Sequence, residues 1–362
     1  MSNLFAEQPI QRILHPVIDP AFRHRFADAF QPRPWIYWSD FLIAISLGWA
    51  AFVFSVQASP LSLLYMGGTI IAIVALLRAV IFIHELAHLK RGTLPGFELA
   101  WNLCVGLPFL LPSLMYVGCH NDHHRQTTFG TPNDPEYIPI VRWHGPWVAR
   151  FVGIAPMVPV LLALRWGVCG PLSFLIPSLR RFMIERGSSL VINTSYRRLP
   201  PRERHAIRWL LQEVAAAVVF WAIVGGVLAE AIALHWIWQW YLVATGVVLV
   251  NQVRTLAAHR YNNTDGTPLD STGQLLDSIT LSSGLLTVLA APVGLRYHAL
   301  HHALPTVPYH SLGPLHQRLL TELPLDAPYR RTQQRGILST IRTFFHQQPV
   351  EAPVPLPSRI PQ

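Results

Sequence analysis

The residues of this chain best suited to chemistry are histidines, and their grouping says more than their number. Seventeen occur in 362 residues, and eight of them fall in three tight clusters: His84 and His88; His120, His123 and His124; His298, His301 and His302. On a helix that turns about 100° per residue, positions i, i+3 and i+4 share one face, so each cluster can aim its imidazoles at one point. Neutral imidazole is a ligand that suits iron, zinc and copper. Eight convergent rings are too many for a single tetrahedral ion, so two metal ions are implied. His259, in the phrase Arg254-Thr255-Leu256-Ala257-Ala258-His259-Arg260-Tyr261, follows a later apolar stretch back to the same side and is the ninth candidate ligand. His15, His24, His144, His205, His235, His310, His316 and His346 stand alone and read as ordinary polar or interfacial residues.

The elements that must present these clusters are apolar. Hydrophobic residues make up 51% of the chain and charged ones 13%, and Trp is abundant, the profile of a membrane protein. From Phe41 to Leu77 no residue is charged, and Ser59-Pro60 breaks the stretch near its middle. This predicts a helical hairpin with arms just long enough to cross a bilayer core. Trp209 to Val253 holds Glu213 and Glu230 as its acids with no Arg or Lys, a second hairpin turning near Glu230 to Trp236. All 28 basic residues lie outside the two hairpins. The positive-inside rule therefore puts both termini and the histidines on the cytoplasmic side, read here for a bacterial inner membrane. Phe97 to Gly118 is interrupted by Gly106, Pro108 and Pro112. A full crossing there would separate the first two clusters, so a re-entrant segment is expected, its irregular backbone covered by protein.

Residues 125–208 carry twelve Arg against four acids around the short apolar pieces Val152 to Leu164 and Leu172 to Ile176, which predicts interfacial amphipathic helices. The expected fold class is all-α integral membrane, with four transmembrane helices in two hairpins, a re-entrant segment, and cytoplasmic or interfacial helices that carry the metal site. Residues 1–40 read as a cytoplasmic N-terminal segment, 41–320 as the membrane domain, and 321–362 as a cytoplasmic tail, disordered beyond about Gln347. Met1 to Asp40 has no apolar run, so no cleavable secretion signal is expected.

The formal charge of +9 arises from 27 Arg and the single Lys90. These flank apolar spans and form no nucleic-acid-binding motif, so the expected partners are membrane lipids and not a nucleic acid. Cys104, Cys119 and Cys169 show no metal-knuckle or disulfide spacing and read as small apolar fillers.

The sequence HxxxH (His84, His88), then HxxHH (His120, His123, His124), then HxxHH (His298, His301, His302) resembles the three histidine boxes of membrane fatty acid desaturases. The likeness includes the two-hairpin layout, Gly130-Thr131-Pro132-Asn133-Asp134-Pro135-Glu136 after the second box, and Pro308-Tyr309-His310 after the third, and it covers roughly residues 40–320. It implies two iron ions that activate O2 and remove hydrogen from an unactivated C–H bond of a long acyl chain, in a dry channel beside the metals. Desaturation of an acyl lipid or acyl thioester is the leading expectation. Hydroxylation or ketolation of a lipid or isoprenoid is the alternative on the same scaffold. The third box opens with His298 where front-end desaturases carry Gln, and no fused cytochrome b5 module is evident, so a separate electron donor of ferredoxin or cytochrome b5 type is expected. Three residues separate the histidines of the first box where stearoyl-type enzymes have four, which favours an acyl-lipid substrate. Glu85 and Asp122 are candidates to orient ligating imidazoles. Leu76, Val80 and Phe82 before the first box, and Val247, Val250 and Val253 before His259, are candidates to line the acyl channel.

Two other readings use the same residues. His84-Glu85-Leu86-Ala87-His88 is also the HExxH of zinc proteases, with Glu85 as general base, but that leaves the remaining clustered histidines without a role. A membrane metal transporter would place its polar residues within the spans, whereas here the clusters follow them.

Overall fold

The structure is a computed structural model that describes residues 24–137, 145–263, 265–282 and 284–346. His15, His144 and the expected disorder beyond Gln347 lie outside the described residues.

Two long helices, Pro34–Gln57 and Leu63–His88, form the first hairpin. Pro34 stands in the first helical turn, where its fixed φ suits the start. Ala58 is extended ahead of Ser59-Pro60, and the Ser62 side chain caps the second helix by accepting from the Tyr65 amide at 3.1 Å. The two helices approach closely where Gly48 faces Leu76: a Cβ on Gly48 would stand 2.6 Å from the Leu76 side chain. The outward faces expose Leu42, Ile43, Phe54, Ile70 and Ile71, an apolar surface made for lipid. The second helix continues through Glu85 to His88, so the first histidine pair rides on the membrane helix itself.

The second hairpin comprises Glu203–Leu228 and Leu234–Leu256. Pro34–Gln57, Leu63–His88 and Glu203–Leu228 are each long and apolar enough to cross a membrane. With their exposed apolar faces they make the chain an integral membrane protein. Leu234–Leu256 has 23 residues and packs against the first hairpin, but His235, Gln239, Asn251, Gln252 and Arg254 dilute its apolar content. Its Gln239 amide donates to Ser55 Oγ and Thr69 Oγ1, each at 2.8 Å, tying it to both arms of the first hairpin.

The Phe97 to Gly118 stretch is a broken helix: α-helical over Phe97–Trp101, a π-turn over Asn102–Gly106, and a 3-10 turn over Ser113–Met115. The carbonyls that the break releases are met by indole donors from surrounding helices. Trp49 donates to the Cys104 carbonyl at 3.0 Å, Trp240 to Pro108 at 2.9 Å and Trp166 to Leu110 at 2.7 Å. Such cover is what irregular backbone needs inside a membrane protein.

The middle region holds the short helices Gly145–Gly153, Met157–Leu164 and Pro177–Glu185. Met157, Leu161, Leu164, Leu175 and Phe182 are exposed there, as the amphipathic expectation requires. A deeply buried ionic group there joins Arg165 and Arg180 to Glu213 of the second hairpin, with nitrogen-to-oxygen distances of 2.7 Å.

After the second hairpin come Ser271–Asp277, Leu285–Ala290, His298–Ala303, Tyr309–Glu322 and Ile337–His346. Two-residue strands, Thr280–Leu281 and Gln333–Gln334, pair in parallel, so the fold is mostly helical and not strictly all-α. A boundary at 320 falls inside Tyr309–Glu322, and Leu323, Ala327 and Tyr329 are buried in one cluster with Phe26. The segment to residue 346 thus packs on the body, because its apolar side chains find a partner near the start of the described chain.

Candidate metal centre

All nine candidate histidines converge, in two groups. His84, His88, His120, His124 and His301 form one, and His123, His259, His298 and His302 the other, with the ligand atoms of each group within 4.8 Å of one another. The second long helix supplies the first pair, the short Cys119–His123 helix and His124 the next three, and His298–Ala303 the last three. His259 arrives from the end of the fourth long helix, held by an antiparallel bridge to Ser278. The groups adjoin each other: the rings of His124 and His302 stack at 4.3 Å, and those of His123 and His124 stand 5.5 Å apart.

The donor chemistry fits metal ions. Facing Nε2 atoms stand 3.0 Å apart in His120 and His124, 2.9 Å in His259 and His298, and 3.1 Å in His298 and His302. Buried nitrogens of His84, His88 and His123 find no hydrogen-bond partner among the described residues. Converging lone pairs with nothing between them are costly, and a cation at each focus would satisfy them together. Burial, then the charge of neighbouring histidines, holds His120, His124, His298, His301 and His302 well below the usual imidazole range, which keeps them neutral as ligands must be.

Carboxylates stand behind several rings. Glu136 Oε1 lies 2.6 Å from His120 Nδ1, Asp134 Oδ1 2.8 Å from His123 Nδ1, and Asp277 Oδ2 3.3 Å from His259 Nδ1. A proton held on Nδ1 leaves Nε2 free for metal and fixes the ring. Asp134 is itself held by the amides of Gly130 and Glu136, each at 2.9 Å, with Gly130 at the positive φ of 77° that lets the chain turn back. Burial pushes the Glu136 carboxyl up to about 7, with His123 and Arg254 opposing that rise. Despite its burial, His123 is raised by the Asp134 carboxylate beside it.

The two carboxylates expected near the ligands behave differently. Glu85 Oε1 is 3.8 Å from His84 Nδ1, while its other oxygen accepts from Tyr37 Oη at 2.5 Å and the Tyr309 amide at 3.2 Å. It ties the second long helix to Tyr37 on the first and to the start of Tyr309–Glu322. Asp122 turns away from the rings, to Arg125 at 2.7 Å and Tyr196 Oη at 2.7 Å, because its position on the short helix lies off the ligand face. Asp134, Glu136 and Asp277 stand closer to the imidazole nitrogens than either of these two.

His84 also borders a cavity of about 200 Å³ between the second and fourth long helices, the broken segment and the middle helices. Val80 and Val247 line it; Leu76 and Phe82 are fully buried in the first hairpin's core, and Val250 and Val253 pack toward Ala257, Ile279 and Ile337. A second cavity of about 520 Å³ reaches His88 from the side of Lys90 and Pro308. His316 is buried against Tyr329 and His310 accepts from the Arg33 amide, so neither joins the groups.

Residues 59–333 match the fatty acid desaturase family model, and the chain belongs to this family of membrane oxidoreductases. It is 38% identical, over 321 residues, to a ceramide hydroxylase of Caulobacter vibrioides, covering 88% of this chain and 91% of that protein. No solved structure matches.

Proposed function

We propose that the nine histidines hold two iron ions, and that the enzyme hydroxylates the acyl part of a ceramide-like lipid with O2. The observation that carries this is the adjacency of the group of five histidines, through His84, to a largely apolar cavity between membrane helices, with the group of four packed directly behind. The similarity to a ceramide hydroxylase favours hydroxylation over desaturation, the leading expectation from the sequence. Iron, when bound, supplies O2 activation. The balance inserts one oxygen atom into a C–H bond and releases the other as water, with two electrons from a separate ferredoxin-type or cytochrome b5-type donor and two protons. The chain's own part is to hold the ligands neutral, to keep the acyl chain dry, and to exclude solvent from the cavity.

In the bilayer we place four spans, with Leu234–Leu256 crossing beside its partner and Phe97 to Gly118 re-entrant. Both termini and the metal centre face the cytoplasm of a bacterial cell, and residues 41–320 form the membrane domain. The absence of Arg and Lys from the turns after Gln57 and Leu228 supports this orientation. Desaturation is the second reading, supported by the order of the histidine boxes. Expression in a host that makes ceramides but does not hydroxylate them, followed by lipid mass spectrometry, decides between them. Hydroxylation adds one oxygen atom to the ceramide, desaturation removes two hydrogens, and an unchanged lipid profile with iron bound would overturn both.

A further inference from the structure

The cavity beside His84 is polar at one end only. Toward the membrane interior the fourth long helix lines it with Ala244, Val247 and Val248; one turn nearer the metals it presents Asn251, Gln252, Arg254 and Thr255. The Arg254 side chain is buried, and its Nη2 is fixed by Asn251 Oδ1 at 3.1 Å and Thr255 Oγ1 at 3.0 Å. Its Nε has no acceptor among the described residues; Glu136, on the same cavity's lining, offsets its charge through space without hydrogen-bonding it. Gln252, 8% exposed, likewise has an Oε1 that accepts nothing. A buried donor and a buried acceptor left open on one cavity wall are expensive unless a ligand meets them.

We infer that Arg254 and Gln252 bind the amide linkage of an N-acyl lipid, and that oxidation therefore falls on acyl carbons close to that amide and not at mid-chain. The inference rests on the proposed lipid oxygenase activity and adds to it the anchor and the region of attack. An amide offers both complements: its carbonyl accepts from Arg254 Nε–H, and its N–H donates to Gln252 Oε1. An ester has the carbonyl and no N–H. A carboxylate has oxygens for the guanidinium and no N–H for Gln252 Oε1. With the linkage held at the polar end, the hydrocarbon runs past Val247 and Val248 into the apolar end, and the carbons nearest His84 are those next to the anchor.

The test is binding as well as turnover. Purified full-length protein in detergent is titrated with a fluorescent-tailed N-acyl amide, the ester of the same chain, and the free acid, for the wild type, Arg254→Lys, Arg254→Met and Gln252→Leu. Iron content and monomer elution report folding. The wild type is expected to hold the amide about tenfold tighter than the ester, the worth of one well-placed hydrogen bond in a dry site. Gln252→Leu should erase that preference while leaving ester affinity in place. Arg254→Met should weaken amide and ester alike, and the milder Arg254→Lys, which keeps the charge but lacks Nε–H, should do the same. In products, the variants should spread oxidation further along the chain. Unchanged amide-to-ester ratios in folded Gln252→Leu, or tightest binding of the free acid by the wild type, would overturn the assignment. Retained amide binding with no oxidised product would instead count against the oxygenase reading alone.

Discussion

The two histidine groups differ in what stands behind them. In the group of four, His123 and His259 each have a buried carboxylate on Nδ1, and Asp134 and Asp277 are in turn held by backbone amides or by the Tyr137 hydroxyl, which donates to Asp277 at 2.9 Å. The group of five has one such close carboxylate, Glu136 on His120, and two of its members face cavities: His84 the apolar one and His88 the one beside Lys90. One site is sealed and braced, the other open on two sides. Under the proposed function, the substrate meets the group of five and the group of four has a supporting role, because among the described residues His84 and His88 are the members that border the two cavities.

Removing a ligand should have the largest effect and should separate the groups. His301→Ala in the open group and His298→Ala in the sealed one are each expected to lower turnover by more than about a hundredfold, beyond what loss of a bracing carboxylate costs. Iron per chain, measured alongside, should fall to about one if the sites load independently. Full iron content with normal turnover in His259→Ala would remove that residue from the ligands and leave the sealed group with three.

How much of this was legible follows from what kind of contact places each residue. The eight box histidines were readable because ligation demands i, i+3 and i+4 on one short helix, a local pattern. His259 was readable only through its place after an apolar stretch. Asp134, Glu136 and Asp277 carry no local signature, because the turn after the second box and the Ser271–Asp277 helix meet the rings only by folding back through irregular turns. The Asp-Pro-Glu run at 134–136 is the available signal, a likeness to the family that by itself gives no role. The channel residues were half-legible for a geometric reason: Phe82 sits two positions beyond Val80, about 200° around the helix, and so faces the core while Val80 faces the cavity. Leu234–Leu256 has the length of a span, but its Gln, Asn and Arg residues serve the cavity and the first hairpin and make it less apolar than the three other long helices.

A smaller effect is expected from the bracing carboxylates, and it sharpens the contrast between sealed and open sites. Asp134→Asn and Asp277→Asn should weaken retention of one iron by about ten- to a hundredfold against a chelator, since each loses the charge that fixes an imidazole. Asp122→Asn should change iron retention little, because Asp122 is turned to Arg125 and Tyr196. Equal losses from all three would show that charge near the site matters and contact geometry does not.

The pH dependence of the metal-free protein follows from the same rings. His120, His124, His298, His301 and His302 are lowered by burial and by each other, so below about pH 6.5 the unfolded chain takes protons that the folded chain refuses. Their contribution makes stability fall as pH falls from about 7 to 5. His123 runs the other way: its folded value is raised by Asp134, so its contribution is present at low pH and lost as pH rises through that value. Glu136, pushed up to about 7 by burial, opposes the fall in the same way as His123. Thermal unfolding followed across this range should still show the net fall, and Asp134→Asn, which removes the His123 contribution, should steepen it. A flat profile would mean that the rings part and hydrate when no metal is bound.

The smallest effect concerns the open group's substrate side. Val247 lines the cavity, whereas Val253, nearer the metals on the same helix, packs toward Ile279 and Ile337. Val247→Trp fills space that the hydrocarbon would occupy, so the enzyme should turn toward shorter acyl chains by a few carbons while its iron content stays normal. Val253→Trp meets packed protein instead, and overpacking there costs about 1–3 kcal/mol of stability without a change in chain preference. The pair is informative because the two effects fall on different measurements, the acyl profile by mass spectrometry and the melting temperature. If Val253→Trp shifted the profile and Val247→Trp did not, the acyl chain would have to run on the far side of the fourth helix, and the open group of five would lose its claim to the substrate.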